Sequence, residues 1–467
     1  MGALRVMTTA GADTILEEPT VAAFQASLRG ALLRPEDNGY DAARAIWNGM
    51  IDRRPALIAR CAGVADVIST VNFARTHRLL VSVCGGGHNV PGNAVCDGGL
   101  MLDLSLMKSV RVDPLRRTAR AESGVLWGEF DRETQAFGLA TTGGSVSDTG
   151  IAGLTLGGGI GWLAGKYGLS CDNLLAVDMV TASGTFLTAS ASENADLFWG
   201  VRGGGGNFGV VTSFEYQLHA VGPVLAGLLL YPFDRAQETL RFYRDFARSI
   251  PDEVNTIGAL LTSPEGAPVA AIAVCYNGDL SAGEKVLRPL RDFGPPLVDD
   301  IRPRAYSEVQ TLLDANTQRG RRNYIKSSFM QTISDGAIDT LIEHFATVPS
   351  PLTFTFFQQL GNAVSRVRPE ATAFSHRNAL CEWGCLSVWL NATQDDRNIR
   401  WTRALAEGIQ PFTTGRAYVN QMGSEAIESA EAIKAAYGAT YDRLVALKNK
   451  YDPTNLFRLN PNIKPTV

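Results

Sequence analysis

The chain has 467 residues, a formal net charge of −4 and 45% hydrophobic residues. This length accommodates two or three domains with substantial cores, and the slightly acidic balance offers no basic surface for nucleic acid or anionic lipid. We therefore expect a small molecule as the partner, with no role for nucleic acid or a membrane.

The amino-terminal region contains no recognisable targeting segment. Residues 1–17 are small and polar without a clear period, which predicts a poorly ordered leader before a short helix at 20–29. The leader lacks the apolar stretch of a signal peptide, and no run approaches the length of a membrane span. The seven cysteines are odd in number and scattered, which favours free thiols. We expect a cytoplasmic protein.

A glycine loop follows the first predicted strand–helix–strand unit. Apolar spacing predicts a strand at 55–59, a helix at 64–77 and a strand at 79–84, which leads directly into Gly85, Gly86, Gly87 and His88. Backbone N–H groups of consecutive glycines can approach a diphosphate closely, because no Cβ blocks the way. The imidazole beside them is a potential nucleophile or ligand. Taken alone, these residues are more typical of an ordinary tight turn with an incidental histidine.

The rest of the chain divides into two patterns. A helix is predicted at 125–137, and strands are predicted at 99–104, 110–112, 118–122, 174–181, 186–188 and 210–219. Beyond residue 222 the glycine loops end, and an antiparallel sheet is predicted from strands at 225–232, 256–262, 268–276, 323–330, 352–360 and 379–390. Helices are predicted at 235–249, 335–347 and 441–450. These patterns predict an α+β cofactor domain followed by a second domain.

Two further glycine loops lie at 157–161 and 202–209. The sequence Gly204-x-Gly206-x-x-Gly209 matches the dinucleotide fingerprint in form. It continues into a strand-like segment, whereas a Rossmann unit requires a helix there. We do not expect a Rossmann fold.

The GGGH loop, these two loops and the terminal Tyr451-Asp452-Pro453 and Asn460-Pro461-Asn462-Ile463 resemble the FAD-linked oxidases of the berberine-bridge-enzyme type. These belong to the vanillyl-alcohol-oxidase superfamily, and the resemblance covers about residues 35–465 and is greatest to bacterial members. It implies a two-domain α+β fold of the PCMH type. The implied divisions are a leader and helix at 1–34, an FAD-binding domain at 35–221, a substrate-binding domain at 222–415, and a C-terminal segment at 416–467 that returns to the FAD-binding domain.

The resemblance implies FAD attached through one covalent bond between His88 and the flavin 8-methyl carbon. Many members have a second link through a cysteine, and Val146 stands in its place here. The family commonly has arginine where this chain has Cys84, so a fixed positive charge is missing. The residues expected to contact FAD are Cys84, Gly85, Gly86, Gly87, His88, Asn89, Thr149, Gly150, Gly153, Gly159, Asn207, Val211, Asn460 and Asn462.

The usual catalytic base of the family is absent. It is commonly the last tyrosine of a Tyr-x-Asn-Tyr strand, and this chain has Tyr418-Val419-Asn420-Gln421. Glutamine cannot accept a proton at physiological pH. We expect Tyr418 and Gln421 at the catalytic site. Glu382 is the candidate replacement base because burial would raise its pKa, and a surface glutamate is the alternative.

The remaining candidates concern oxygen and substrate. Thr149 matches the position beside flavin N5 that sets oxygen reactivity in close relatives. Polar residues inside apolar strands of the second domain are candidates for substrate contact, namely Tyr324, Lys326 and Gln358. A metal site is not expected, since Cys381 and Cys385 on one strand would lie about 13 Å apart.

We expect an oxidase in which a substrate C–H bond passes hydride to flavin N5 and dioxygen reoxidises the flavin to give hydrogen peroxide. Without the usual base, activated alcohols, amines and phenolic or enolic secondary metabolites are favoured as substrates. Two alternatives stay open: a flavin-dependent oxygenase of natural-product biosynthesis, and a redox-silent cyclase that uses FAD as a scaffold. No feature of the sequence indicates an oligomeric state.

Overall fold

The computed structural model describes residues 3–467. The helices, in chain order, are α1 Glu18–Ala26, α2 Tyr40–Arg44, α3 Val64–His77, α4 Trp127–Gln135, α5 Ile151–Leu156, α6 Ala164–Tyr167, α7 Ala195–Gly200, α8 Ala236–Ala247, α9 Leu280–Asp292, α10 Tyr306–Val309, α11 Asp335–Phe345, α12 Ala363–Arg366, α13 Asp395–Ile409, α14 Ser424–Glu428, α15 Ala430–Tyr437 and α16 Tyr441–Tyr451.

The strands, in chain order, are β1 Leu4–Met7, β2 Asp13–Leu16, β3 Ala31–Leu33, β4 Leu57–Arg60, β5 Val81–Cys84, β6 Leu100–Asp103, β7 Val110–Asp113, β8 Thr118–Glu122, β9 Leu139–Ala140, β10 Leu174–Thr181, β11 Phe186–Ser190, β12 Gly209–Gln217, β13 His219–Ala220, β14 Val224–Pro232, β15 Val254–Thr262, β16 Pro268–Tyr276, β17 Val298–Asp299, β18 Arg302–Arg304, β19 Arg322–Met330, β20 Phe354–Gln359 and β21 Cys381–Trp389.

A four-stranded sheet with the order β3-β4-β6-β5 presents the glycine loop. Strands β4, β6 and β5 are parallel, and α3 is the crossover between β4 and β5. Val67, Val71 and Ala74 form one stripe of α3 and are buried in the same core as Leu57 and Leu100 of the sheet. Because β5 ends at Cys84, its carboxyl end places the glycines at the edge of this layer.

A five-stranded antiparallel sheet with the order β11-β10-β12-β8-β7 forms the second layer. Its core contains Trp127 and Phe130 of α4 with Phe214 and Tyr216 of β12. Residues of α15 and α16 are buried in this same core, although they lie more than 200 residues later in the chain. The C-terminal segment therefore packs against the second layer.

The third sheet has the order β17-β14-β16-β15-β20-β21-β19, with β18 also paired to β14. Neighbouring strands are antiparallel, so side chains alternate between two faces. One face is buried under α8, α9, α11 and α13, as with Leu229 of β14. The other face is turned towards Trp162 and Leu163 of the earlier loops. The domain boundaries given above stay predictions.

The α+β class is confirmed, and one local prediction is wrong. Residues 3–17 are not a poorly ordered leader, because β1 and β2 pair in register from Leu4 opposite Leu16 to Met7 opposite Asp13. Residues 1 and 2 of that predicted leader lie outside the described residues. Within residues 3–467 no helix is both long and apolar enough to cross a membrane.

A buried ion pair holds the C-terminal segment to the glycine loop at 202–209. The Lys448 ammonium donates hydrogen bonds to the Asp452 carboxylate at 2.7 Å and to the carbonyls of Asn207 at 2.8 Å and Phe457 at 2.9 Å. Both charged side chains are fully buried. Removing one partner of such a pair leaves an uncompensated charge in the core.

We predict that Lys448→Met lowers the free energy of unfolding by about 3–5 kcal/mol, measured as a fall in the urea midpoint. Lys450→Met is the matched control two residues away, since Lys450 pairs with Asp196 on the surface. Its effect should stay below about 1 kcal/mol. Equal midpoints for the two variants would contradict this account of the pair.

Candidate active site

The GGGH loop lies so close to the loop around Gly150 that only glycine fits at the point of contact. A Cβ on Gly86 would lie 2.5 Å from the Cα of Gly150, and a Cβ on Gly150 would lie 2.6 Å from the nitrogen of Gly86. Gly87 also has φ +69°, a region that side chains disfavour. Residues 85–88 and the segment around Gly150 therefore form a single glycine cradle.

His88 is held in one orientation beside this cradle. Its Nε2 lies 2.9 Å from Oδ1 of Asp148, and its ring stacks on Trp47 with centroids 4.4 Å apart. The Trp47 backbone N–H donates to the carbonyl of Gly87 at 2.9 Å, which ties the stacking partner to the loop. Nδ1 of His88 has no hydrogen-bond partner within residues 3–467.

A cavity of about 860 Å³ opens from the cradle towards the third sheet. This volume lies in the range of small-molecule and cofactor sites. Its first wall contains Gly85, Gly86, Gly87, His88, Asn89, Ser145, Val146, Thr149, Gly150 and Gly153. The predicted FAD contacts at 85–89, 149, 150 and 153 are thus brought together. Cys84 instead lines a smaller cavity of about 350 Å³, which also reaches these glycines.

The other predicted FAD contacts lie outside the wall of the large cavity. Gly159 donates its N–H to the Tyr418 hydroxyl at 2.8 Å, and Val211 accepts a hydrogen bond from Ser123. Asn207 bonds the Gly204 carbonyl and the Ile463 N–H, and Asn460 bonds the Gly206 carbonyl. The Oδ1 atoms of Asn460 and Asn462 are buried and have no hydrogen-bond partner. Asn207 and Asn460 brace the third glycine loop against the C-terminal segment.

The opposite wall is the face of the third sheet and is largely apolar. It includes Leu228, Leu230, Ile257, Ala259, Phe356 and Leu386. Gln358 and Thr262 are the polar strand residues on this wall, and Gln358 donates from Nε2 to the Ser145 hydroxyl at 3.2 Å. No carboxylate among residues 3–467 lines the cavity.

Tyr324 and Lys326, which were predicted as substrate contacts, do not line the cavity. Ile325 between them faces the cavity, so strand alternation turns its neighbours to the opposite face. There the Tyr324 hydroxyl donates to Glu425 at 2.6 Å and Lys326 pairs with the same carboxylate at 3.0 Å. Burial opposes ionisation of Glu425, but hydrogen bonds from Tyr324, Arg403 and Lys326 outweigh it and hold the pKa of this carboxyl at about 2.

Tyr418, Asn420 and Gln421 lie together on the cavity wall, on a short 3₁₀ turn instead of a strand. The Tyr418 hydroxyl accepts from the Gly159 N–H and the Asn420 side-chain amide, both at 2.8 Å. Burial raises the pKa of Tyr418 well above its ordinary value. At neutral pH this hydroxyl therefore keeps its proton.

Glu382 lies behind Gln421 and does not line the cavity. The Gln421 amide donates to Oε2 of Glu382 at 3.5 Å, while Oε1 of each side chain is buried without a partner. Complete burial raises the pKa of Glu382 to about 8. The carboxyl group is therefore mainly neutral at pH 7, and the side chain it bonds, Gln421, lines the cavity.

Sequence reasoning missed Trp47, Asp148 and Arg319. Asp148 adjoins the predicted Thr149, so its closeness to the glycine cradle was open to inference. Trp47 and Arg319 lie in distant segments, and Arg319 bonds the Gly86 carbonyl across 233 residues of sequence. No local pattern could connect them.

Comparisons with known proteins identify the family of this chain. The family described as FAD binding domain matches residues 55–190, and the family described as berberine and berberine-like matches residues 417–464. An FAD-linked oxidoreductase of Dictyostelium discoideum is 32% identical over 461 residues, which are 97% of this chain and 98% of that protein.

Two solved structures have the same fold. The crystal structure of 6-hydroxy-D-nicotine oxidase from Arthrobacter nicotinovorans gives a TM-score of 0.86 at 32% identity, covering 94% of this chain and 98% of that one. A carbohydrate oxidase from Microdochium nivale, solved with a substrate analogue, gives a TM-score of 0.84 at 24% identity, covering 96% of this chain and 100% of that one. At that identity the second likeness concerns the fold alone.

The buried Glu382 carboxyl predicts a pH-dependent stability. Between about pH 4.5 and pH 8 the folded chain retains a proton that the unfolded chain has released. Stability should therefore fall as pH rises through this window, by up to about 1.4 kcal/mol per pH unit. In Glu382→Gln this contribution is absent, so the urea midpoint should decline less from pH 5.5 to pH 8. Exposed Glu407→Gln should follow the wild type, and parallel curves for all three proteins would contradict the raised pKa.

Proposed function

This chain belongs to the FAD-linked oxidoreductases of the berberine type, and on that premise we propose that it oxidises a small apolar organic molecule with dioxygen as electron acceptor. The observation that carries the proposal is the continuous cavity from the GGGH cradle to Gln421 and the apolar wall of the third sheet. When bound, FAD would take a hydride from a substrate C–H bond and pass two electrons to dioxygen, which gains two protons to become hydrogen peroxide.

The first wall of the cavity fits the cofactor. Gly86 and Gly150 leave no room for side chains at the cradle, so their backbone groups are accessible to a diphosphate. His88 would carry the single covalent bond, through Nδ1, because Asp148 engages Nε2. Val146 lines the same wall and has no thiol for a second bond. Thr149, also on this wall, is our candidate for the group that sets oxygen reactivity.

Gln421 and Tyr418 are the groups that would contact the substrate. The side-chain amide of Gln421 can donate or accept a hydrogen bond but cannot remove a proton. Glu382 would orient that amide from behind, as a positioning residue, instead of acting as the base. Such a site suits a substrate that needs no base, such as a neutral amine or a phenol or enol that ionises in solution.

The apolar sheet wall supports an apolar substrate over a sugar. An oligosaccharide would bring many hydroxyl groups, and those without partners in an apolar cavity would lose their bonds to water. The strands offer two polar side chains, Gln358 and Thr262, against a much larger aliphatic and aromatic surface. A fused-ring or alkyl-substituted phenol or amine would instead be stabilised by roughly 25 cal/mol per Å² of apolar surface buried.

The attachment of FAD generates a direct prediction. After acid precipitation the wild-type protein should remain yellow, and a tryptic flavopeptide should contain His88 as its only modified residue. His88→Ala should release its colour into the supernatant. His344→Ala should behave as the wild type, since His344 bonds the Thr340 carbonyl in an outer helix. Release of flavin from the wild type would contradict covalent attachment.

The substrate class can be tested by titrating the holoenzyme under nitrogen with 2-naphthol and with cellobiose. We expect 2-naphthol to perturb the flavin spectrum with a Kd at least about tenfold lower than that of cellobiose, a difference of about 1.4 kcal/mol. Leu230→Asn on the cavity wall should weaken 2-naphthol binding about tenfold, because it removes an apolar contact. Leu390→Asn is the control, since Leu390 is 70% exposed on the surface. Tighter binding of cellobiose would contradict the apolar class.

The same titration, extended to oxidisable amines and phenols, separates redox function from scaffolding. An oxidase or oxygenase bleaches its flavin absorbance near the visible maximum with substrate under nitrogen. Readmitted air then restores the colour, and hydrogen peroxide in stoichiometric yield identifies the oxidase. Product formation without bleaching would overturn the proposal in favour of a redox-silent enzyme.

A further inference from the structure

An arginine from the third-sheet segment reaches the space beside Cys84. A Cβ added to Gly87 would lie 3.5 Å from the sulfur of Cys84 and 3.6 Å from Nη1 of Arg319. The guanidinium and the cysteine side chain thus flank the same point of the glycine loop. This is the loop whose positive charge is missing from the sequence at position 84.

Arg319 bonds both halves of the site that surrounds His88. Its Nη2 donates to the carbonyl of Gly86, and its Nε lies 3.4 Å from Oδ2 of Asp148. The other oxygen of Asp148 engages Nε2 of His88 at 2.9 Å. One guanidinium therefore links the glycine loop to the residue that orients the histidine ring.

The segment that carries Arg319 is fixed on both sides of His88. Gly320 donates to the Trp47 carbonyl at 3.0 Å, and the Trp47 indole donates to the Thr317 carbonyl at 2.6 Å. On the other side, Asp314 accepts from the Ser147 hydroxyl at 2.6 Å and from the Ser147 backbone at 3.0 Å. These contacts fix the segment that carries Arg319, and none of them involves Cys84.

Stability alone does not explain this arrangement. The side chains of Arg319 and Asp148 are 41% and 29% exposed, and ion pairs with such exposure contribute little to the free energy of unfolding. A guanidinium fork is, however, well matched to phosphate oxygens and carboxylates, which it can bind through two N–H groups.

We propose that Arg319 supplies, from the substrate-binding side, the positive charge that the loop lacks at Cys84, and that through Asp148 it positions His88 for flavin attachment. The anionic ligand it serves is the diphosphate of the dinucleotide cofactor. This inference rests on the proposed attachment of FAD to His88. It also makes cofactor attachment dependent on a segment that lines the substrate cavity through Asn316, Thr317 and Arg321.

The test compares the acid-stable flavin per chain in purified Arg319→Ala, Arg319→Lys and Arg368→Ala. Arg368 is the control, since it pairs with Glu370 at the surface. We expect Arg319→Ala to carry at least about fivefold less attached flavin than wild type with nearly the same melting temperature. The attached flavin in Arg319→Lys should lie between these two values, because lysine keeps the positive charge and loses the two-pronged guanidinium. This variant also provides the comparison with wild type if Arg319→Ala does not fold.

A relocated arginine makes the test specific. Because Cys84 and Arg319 flank the same point, C84R combined with R319A should restore attachment to within about twofold of wild type. A merely structural role for Arg319 would not be rescued in this way. Wild-type attachment in both R319A and R319K would overturn the proposal, and so would failure of C84R to raise attachment in the R319A protein.

A second measurement separates this inference from the proposed function. In a His88→Ala background, where no bond to His88 can form, Arg319→Ala should weaken reversible FAD binding about tenfold in low salt and by less in high salt. If the wild type released all its flavin in acid, the proposal of covalent attachment would be wrong. The Kd measurement would still test whether Arg319 contributes to FAD binding. Equal Kd values with and without Arg319 would overturn its role towards the diphosphate.

Discussion

The backbone of Gly86 lies against the backbone of Gly150, and a methyl group on either residue would overlap the other. This contact joins the end of the parallel sheet to the loop before α5, although the two segments belong to different layers. It places His88 and Asp148 within hydrogen-bond distance and leaves backbone groups open to the cavity. The proposed attachment of FAD to His88 depends on this contact, because the two loops meet without side chains between them.

The cavity beyond this contact has little ionisable chemistry. Its strand wall is largely apolar, Tyr418 keeps its proton, and the Glu382 carboxyl group behind Gln421 is mainly neutral at pH 7. The neutral state of Glu382 is consistent with the apolar wall, since burying a charged base next to such a surface would cost free energy. The proposed division of labour follows, in which the flavin supplies the redox chemistry and the protein supplies orientation and exclusion of water.

Local sequence patterns anticipated much of the fold. Helix Val64–His77 and strand Pro268–Tyr276 begin and end where the apolar periodicity indicated. Helices Leu280–Asp292 and Asp395–Ile409 were missed; the first contains Pro289, and the second begins with a charged, polar stretch. The hairpin at the amino terminus was missed because its strands are short and pair mainly with each other.

The site was anticipated where its chemistry is contiguous in the chain and missed where it depends on long-range contacts. The GGGH loop could be found because its glycines adjoin the histidine they position. Tyr324 and Lys326 do not line the cavity, since a polar residue in an apolar strand can equally face a partner on the outer side, here Glu425. Arg319 illustrates the limit most clearly, because it bonds the Gly86 carbonyl from a position 233 residues later in the chain.

The crystal structure of the holoenzyme would test the central claim most directly. We expect continuous electron density from Nδ1 of His88 to the flavin 8-methyl carbon, with Asp148 on Nε2 and the flavin between the glycine cradle and Gln421. A flavin lying outside this cavity, or a covalent bond to any residue other than His88, would contradict the account.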